Sequence, residues 1–258
     1  MANTKRVRCF LFDLGSTLWM RQEEGTQQAK EQAYAQVGNM LHRARGGEIF
    51  AIQNAMILGH QVHKAIGRLL RAEKEQRPEY EPDFALAAMQ ALQQLGLVEA
   101  DRELGEAVFE ALRVRSSVSR VLFPDTILTL QTLKQRGYSL GVVTNRDYGG
   151  QLFREDLQTM GLLAYFEYQH MAISADLGIR KPHPEIFQYA LKRLNVLPEE
   201  AAMVGDNLKA DVGGAKGLNM LGIWKPNPAA LARNQATQPE KIVPDLTIEH
   251  LQDLLEVF

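Results

Sequence analysis

The second half of the chain alternates between short apolar segments and amphipathic helical patterns, and this alternation limits its possible folds more than any other feature. In chain order the segments are helix 127–136, strand 138–144, helices 151–160 and 184–194, strand 201–204, helix 210–218, and strands 221–224 and 244–248. The alternation predicts an α/β fold with a doubly wound, mostly parallel sheet, because each crossover between parallel strands is usually made by a helix.

Residues 19–120 follow a different pattern, with helical periodicity and no convincing strand. Apolar residues recur there at helical spacings, for example at Phe84, Ala88, Ala91 and Leu95. This block interrupts the α/β pattern directly after its first strand, the apolar segment that leads to Asp13. The sequence therefore predicts an α/β domain formed by 1–18 and 121–258, with an α-helical domain inserted at 19–120.

Composition bounds the partners and sites that the chain can have. The formal net charge of −2 gives no argument for a nucleic acid or an anionic membrane as a partner. Cys9 is the only cysteine, which excludes an intrachain disulfide and a cysteine-based zinc site, and it is expected to be a small buried hydrophobe. There is neither a secretory apolar segment at the N-terminus nor an apolar run long enough to span a bilayer, so a cytoplasmic protein is expected. The loop at 226–239 is expected to be exposed.

Asp13 is a carboxylate at the end of an apolar strand-like segment, and a turn follows it directly. A lone carboxylate there is costly to desolvate unless a cation or hydrogen-bond donors meet it. Three later segments supply such groups: 142–145, 180–185 and 204–211. Ligands of parallel sheets bind beyond the carboxyl ends of the strands, where Asp13, Thr144 and Asp206 are all expected to lie.

The residue types in these segments suit phosphate and a hard cation. Asp206 and Asp211 offer oxygen ligands without cysteine or clustered histidine, which favours Mg²⁺ before Ca²⁺. Alternatively, Asp206 could be a helix cap and Asp211 a solvated residue of the first helical turn. Thr144 and Asn145 offer a hydroxyl and backbone N–H groups to phosphate oxygens. Arg146 follows directly and could reach the phosphate or face solvent.

In this order the four segments resemble the haloacid dehalogenase (HAD) superfamily, whose members are mostly phosphatases, and the resemblance extends from about Val7 to Met220. It implies a Rossmann-like sheet and a helical cap, inserted between the first and second motifs, that closes on a small phosphorylated metabolite. It also implies that Asp13 is a nucleophile that forms an aspartyl phosphate. Lys181 would neutralise charge between Asp13 and the phosphate, and it would bind the phosphate together with Thr144 and Asn145.

The resemblance also implies a Mg²⁺ site. Asp13 and Asp206 would bind the metal directly, and Asp211 would bind it through water or orient the other ligands. The backbone carbonyl of Gly15 would complete the site. Specificity would depend on cap residues, of which Trp19, Arg21 and Glu23 are nearest in sequence to the chemistry.

Gly15 departs from the family pattern, because the phosphatases usually carry an Asp there that protonates the leaving oxygen and then activates water. The neighbouring Ser16 is a poor base without a partner. Three outcomes remain open. The enzyme could require substrates with good leaving groups, or the chain could be nearly inactive, or a cap residue could supply the proton, with the candidates His60, His63 and Glu23.

Two other functions fit the same residues. A haloacid dehalogenase of the superfamily also lacks the second Asp but needs no metal. A protein that binds a phosphate ligand without turning it over would keep the binding groups alone. The intact acidic segment at 204–211 favours a metal, and therefore a phosphatase, over the dehalogenase.

Overall fold

The structure is a computed structural model that describes residues 7–44, 50, 52–227 and 242–258. The predicted exposed loop at 226–239 lies, from residue 228 onward, outside the described residues. The chain divides into two compact units, here called the α/β unit (Met1–Arg21 and Arg120–Phe258) and the helical unit (Gln22–Ser119). In the described part of the chain, no helix combines the length and the apolarity needed to cross a membrane.

The α/β unit is built on a six-stranded sheet of β1 (Cys9–Phe12), β4 (Ser139–Thr144), β5 (Ala172–Ile173), β6 (Ala201–Gly205), β7 (Leu221–Trp224) and β8 (Leu246–Thr247). The strand order is β5-β4-β1-β6-β7-β8, and every neighbouring pair is parallel. The predicted α/β fold class is therefore confirmed.

Helices of the α/β unit lie between its strands in sequence, except for a final turn that follows β8. They are α6 (Thr126–Gln135), α7 (Gly150–Thr159), α8 (Ser174–Leu177), α9 (Pro184–Leu194), a π-helical turn (Leu208–Gly213) that continues into α10 (Gly214–Lys216), and a final helical turn (Leu254–Val257). Pro184 occupies the first turn of α9, where its missing N–H is not needed, and Asn195 ends the helix in a left-handed conformation.

Strand β1 lies inside the sheet and packs on both faces. Phe10 and Phe12 join the hydrophobic cluster on one face, and Cys9 and Leu11 join the cluster on the other. All four side chains are fully buried. This two-sided burial explains why the segment reads as a continuous apolar run rather than an alternating one.

Three short strands are not predicted by the pattern of residues. β2 (Trp19–Arg21) pairs antiparallel with β3 (Arg120–Leu122), so a strand lies within the block that was expected to contain none. The two-residue strand β5 was also missed. Segments of two or three residues carry no readable periodicity, and the partners β2 and β3 lie about a hundred residues apart in sequence.

The helical unit contains α1 (Glu23–Arg43), α2 (Ala55–Gln76), α3 (Phe84–Gln94), α4 (Arg102–Ala111) and the short α5 (Ser116–Ser119). Side-chain oxygens of Asn54, Asp83 and Asp101 accept backbone N–H groups at the starts of α2, α3 and α4. Its core consists mainly of aliphatic side chains from α1 to α4, among them Val37, Leu41, Leu58, Val62, Leu92 and Val108.

Candidate active site

Parallel pairing brings polar residues from distant parts of the chain to one edge of the sheet. Asp13 follows β1, Thr144 ends β4, and Asp206 follows β6, and β4 and β6 are the two neighbours of β1. The backbone N–H of Asp13 donates to the carbonyl of Val204 at 2.9 Å, which extends the β1–β6 pairing to the carboxylate. All three side chains are buried.

Lys181 connects this edge to the loop before α9. Its Nζ donates to Oδ1 of Asp13 and to the carbonyl of Val143, both at 2.7 Å. Nζ also lies 2.7 Å from Oδ1 of Asp211 and forms an ion pair with it, but the angles do not suit a hydrogen bond. Burial alone would lower the pKa of Lys181, but the negative charges of Asp13 and Asp211 outweigh it and raise the pKa above its usual value. Lys181 is therefore a charged ammonium in a buried position.

Asn145 holds the backbone of Lys181 in place. Its Oδ1 accepts the N–H of Lys181 at 2.8 Å, and its Nδ2 donates to the carbonyl of Lys181 at 3.1 Å. The side chain of Asn145 is thereby engaged, and its backbone N–H is the group it can offer to a phosphate. Helix α7 begins only at Gly150, five residues further on.

Asp211 lies in the π-helical turn that Asn207 caps, with Oδ1 of Asn207 accepting the N–H groups of Lys209 and Ala210. The N–H of Asn207 donates to Oδ2 of Asp211 at 2.9 Å. A Cβ at Gly205 would lie 2.2 Å from that same oxygen, so the carboxylate occupies space that only a glycine leaves open. Burial, together with the charge of Asp13 and against that of Lys181, raises the pKa of Asp211 to about 6.

The donor set of this edge fits a divalent hard cation. Asp13, Asp206 and Asp211 each offer a carboxylate oxygen, and these oxygens lie within 4.8 Å of one another. Within the described ranges, these are the residues that form such a cluster of three or more possible metal ligands. Three carboxylates and the one ammonium of Lys181 leave a formal charge of −2 among the four side chains. Buried oxygen ligands with this residual charge suit Mg²⁺.

Asp206 has partners that the sequence analysis did not name. Nδ2 of Asn227 donates to its Oδ2 at 3.1 Å, and Nε1 of Trp224 donates to its carbonyl at 3.0 Å. Both partners lie at or just beyond the carboxyl end of β7, the strand next to β6. The position of Asn227 after a predicted strand was the available signal for its place at the site.

Gly15 leaves an open position beside Asp13. The nearest atom to a Cβ at this residue would be Oδ2 of Asp13, at 4.0 Å, and the backbone of Gly15 is outside the left-handed region. The turn is formed instead by Ser16, whose φ of 64° is left-handed and whose N–H donates to the carbonyl of Trp19 at 2.7 Å. A side chain could therefore be added at residue 15 without backbone strain.

Arg146 and Trp19 pack against each other instead of lying free. The guanidinium carbon of Arg146 lies 5.9, 5.2 and 5.5 Å from the ring centroids of Trp19, Tyr148 and Phe153. Trp19 belongs to the α/β unit and is fully buried in its core. Among the three residues expected to be nearest to the chemistry, Arg21 ends β2 and is exposed, and Glu23 begins α1 in the helical unit.

His60 and His63, the candidates for a replacement acid or base, lie on α2 of the helical unit. Their rings lie 5.2 and 5.3 Å from that of Tyr34, whose hydroxyl is 3.1 Å from Nδ1 of His63. Their part in the chemistry stays a prediction.

The chain is similar in sequence to curated enzymes. The chain is 44% identical over 101 residues to glyceraldehyde 3-phosphate phosphatase of Pyrococcus furiosus. This match covers 39% of this chain and 40% of that protein. The chain is also 36% identical over 163 residues to phosphoserine phosphatase of Thermus thermophilus, covering 63% of this chain and 58% of that protein. The chain thus spans about half the length of these curated relatives.

Solved structures resemble the chain over nearly its whole length. A HAD phosphatase from Thermococcus onnurineus has a TM-score of 0.61 and 26% identity over 97% of both chains. A 2-haloacid dehalogenase from Pseudomonas syringae pv. Tomato DC3000 has a TM-score of 0.61 and 25% identity, again over 97% of both chains. A family model described as haloacid dehalogenase-like hydrolase matches residues 7–219, a range that contains Asp13, Lys181 and the whole 204–211 segment. The chain therefore belongs to the haloacid dehalogenase-like hydrolase family.

Proposed function

We propose that this hydrolase is a Mg²⁺-dependent phosphatase that hydrolyses a small phosphorylated metabolite through an aspartyl phosphate on Asp13. The observation that carries the proposal is the cluster of three buried carboxylates around the ammonium of Lys181. The names of the curated relatives, which are phosphatases of small phosphorylated metabolites, support the same class of substrate.

In the first step, an oxygen of Asp13 attacks phosphorus, and the bond between phosphorus and the leaving oxygen breaks. Lys181 holds Oδ1 of Asp13 at 2.7 Å, which orients the carboxylate and lessens its repulsion of the phosphate. The hydroxyl of Thr144 and the backbone N–H of Asn145 would hold the phosphate oxygens. In the second step, water attacks the acyl phosphate, which releases inorganic phosphate and restores the carboxylate of Asp13.

The acidic residues would also hold the metal. Asp13 and Asp206 would bind Mg²⁺ directly with the carbonyl of Gly15, and Asp211, fixed by the N–H of Asn207, would bind it through water or orient the other ligands. When bound, Mg²⁺ supplies positive charge that offsets repulsion between the phosphate and the carboxylates. Asn227 would keep the carboxylate of Asp206 oriented through its bond to Oδ2.

The absence of a carboxyl group at Gly15 affects both steps. The leaving oxygen lacks the family's usual proton donor, so the first step would depend on the leaving group's own acidity. The attacking water lacks the corresponding base, so the aspartyl phosphate should accumulate. We therefore expect phosphate esters with acidic leaving groups to react faster than alkyl phosphates.

A metal-independent haloacid dehalogenase is the second candidate, because Gly15 lacks the phosphatase carboxyl group and the structure resembles a 2-haloacid dehalogenase as closely as a phosphatase. The cluster of three carboxylates argues against it, since a reaction without metal has no need of three buried anions together.

The test compares both reactions in the presence of Mg²⁺ and of EDTA. We expect release of nitrophenol from p-nitrophenyl phosphate only with Mg²⁺, and no halide release from 2-chloropropionate. Asp13→Asn, which is nearly isosteric but cannot form the acyl phosphate, should abolish turnover while the protein stays folded. Halide release in EDTA would instead establish the dehalogenase. If p-nitrophenyl phosphate binds but neither turnover nor a trapped aspartyl phosphate is detected, the protein is a binder.

A further inference from the structure

A cavity of about 590 Å³ lies on the helical unit, along one face of α2. Its walls include the side chains of Lys64, Arg68 and Arg71 and the imidazole of His63. No carboxylate is among the described residues that line it. The cavity is therefore strongly positive.

The three cationic side chains are arranged to act together. Lys64, Arg68 and Arg71 are four and three residues apart on α2, so they project from the same face of the helix. All three are exposed, and in the described part of the chain none of them forms a hydrogen bond or an ion pair. Like charges at these spacings repel one another, which leaves a site that an anion would stabilise.

The neighbouring groups add to the positive field. Burial lowers the pKa of His63, and the charges of Lys30 on α1 and His60 on α2 lower it further. On the α1 side the uncharged hydroxyl of Tyr34 contacts His63. The cation on the α1 side is therefore Lys30, while the lowered pKa favours an uncharged His63.

The middle of this helix face is open to a ligand. Gly67 lies between Lys64 and Arg71, and a Cβ there would meet only Nη1 of Arg71, at 3.5 Å. Leu95, at the end of α3, supplies an apolar wall. A ligand could therefore approach the backbone of α2 between the cations, which lie within about 10 Å of helix length.

We propose that this pocket binds a small polyanion that carries several phosphate groups. Two guanidinium groups favour phosphate or carboxylate, because their planar donors match paired oxygens. Three cations spread over two helical turns favour a ligand with several negative groups over a single one. The described residues that line the pocket all belong to the helical unit, and binding there requires no reaction at Asp13.

Isothermal titration calorimetry with inorganic tripolyphosphate tests this assignment. The protein carries Asp13→Asn to prevent turnover, and EDTA is present. Arg68→Gln/Arg71→Gln should weaken tripolyphosphate binding by about tenfold or more. The matched control, Arg43→Gln/Arg77→Gln, removes the same charge from exposed positions of the helical unit outside the pocket and should bind as the parent does.

Citrate, titrated in parallel, distinguishes carboxylate from phosphate chemistry and should bind more weakly. Circular dichroism and thermal unfolding verify that each variant is folded, and Lys64→Gln is the milder substitution if the double variant is not. Equal affinity in parent and pocket variants would overturn the site. An equal loss of tripolyphosphate affinity in the control variant would show that binding depends on overall charge and not on the pocket, which would also overturn the site. Citrate binding as tightly as tripolyphosphate would overturn the phosphate assignment.

Discussion

Lys181 is the residue that allows acidic side chains to be buried at the edge of the sheet. Its ammonium lies 2.7 Å from carboxylate oxygens of both Asp13 and Asp211 and is itself buried. An unpaired buried carboxylate would tend to take up a proton and could not then act as the nucleophile proposed for Asp13. The two hydrogen bonds from the Asn145 side chain to the backbone of Lys181 thus hold in place the residue that neutralises Asp13.

Gly15→Asp should increase turnover, because it places a carboxyl group next to Asp13 at a position with room for a side chain and no left-handed backbone. General acid–base catalysis contributes roughly 10²–10⁴-fold, and we expect a gain of at least about tenfold with alkyl phosphates. The gain should be smaller with aryl phosphates, whose leaving groups need less protonation. Steady-state rates across a series of leaving-group pKa values measure it.

Gly15→Asn is the matched control, because its side chain has nearly the same shape but transfers no proton at neutral pH. Equal rates for the Asp and Asn variants would contradict the role assigned to residue 15. A leaving-group dependence that is already flat in the parent protein, without a burst, would point to His60, His63 or Glu23 as the proton donor.

Helices α1 and α2 approach closely because glycines lie where they meet. A Cβ at Gly38 would lie 1.9 Å from the carbonyl oxygen of Ala55, and a Cβ at Gly59 would lie 2.0 Å from that of Tyr34. Backbone atoms cannot move away as flexible side-chain ends can, so any larger residue must separate the helices. The packing of the helical unit therefore depends on glycine at these two positions.

Gly59→Ala should destabilise the protein, while Gly67→Ala on the same helix should stabilise it. At Gly59 the overlap with the carbonyl of Tyr34 should cost about 1–3 kcal/mol. At Gly67 the added methyl has room, and replacing glycine inside a helix contributes about 0.5–1 kcal/mol. Urea unfolding followed by circular dichroism measures both. Unchanged or increased stability of Gly59→Ala would show that close packing at Gly59 does not limit the helical unit, and a destabilised Gly67→Ala would contradict the room assigned to residue 67.

The parallel sheet gathers like charges from sequence positions nearly two hundred residues apart, and this affects the molecule as a whole. Asp13 and Asp211 are the first and the last of these carboxylates in the sequence. Together with Asp206 they leave net negative charge buried at one edge of the sheet. Folding concentrates these charges, whereas the unfolded chain separates them. A bound divalent cation should therefore stabilise the folded state.

Mg²⁺ should raise the midpoint of thermal unfolding, because an ion that binds only the folded chain adds about 2.7 kcal/mol at a concentration one hundred times its Kd. Asp206→Asn should reduce this shift, since it removes one of the three carboxylates. Differential scanning calorimetry with and without Mg²⁺ measures the effect independently of any activity. An unchanged shift in Asp206→Asn would mean that Mg²⁺ stabilises the protein from another site.

The sequence by itself determined the α/β fold class, because apolar runs and helical periodicity are local properties that survive without a partner. Helix α9 and strand β7 coincide with the predicted segments 184–194 and 221–224. It also placed Asp13, Thr144 and Asp206 after strands, and parallel pairing then requires that they share an edge. The sequence did not predict the short strands β2, β3 and β5, because their hydrogen bonds join segments that have no periodicity of their own.

Only the tertiary structure decided which side chains contact one another at the site. Three of these interactions join separate loops: the contact of Lys181 with two carboxylates, the hydrogen bonds of Asn145 to the backbone of Lys181, and the hydrogen bond from Asn227 to Asp206. The space beside Gly15 and the lack of it at Gly205 likewise depend on what packs nearby. Such contacts depend on distances between residues far apart in the chain, which a linear pattern of residue types does not contain.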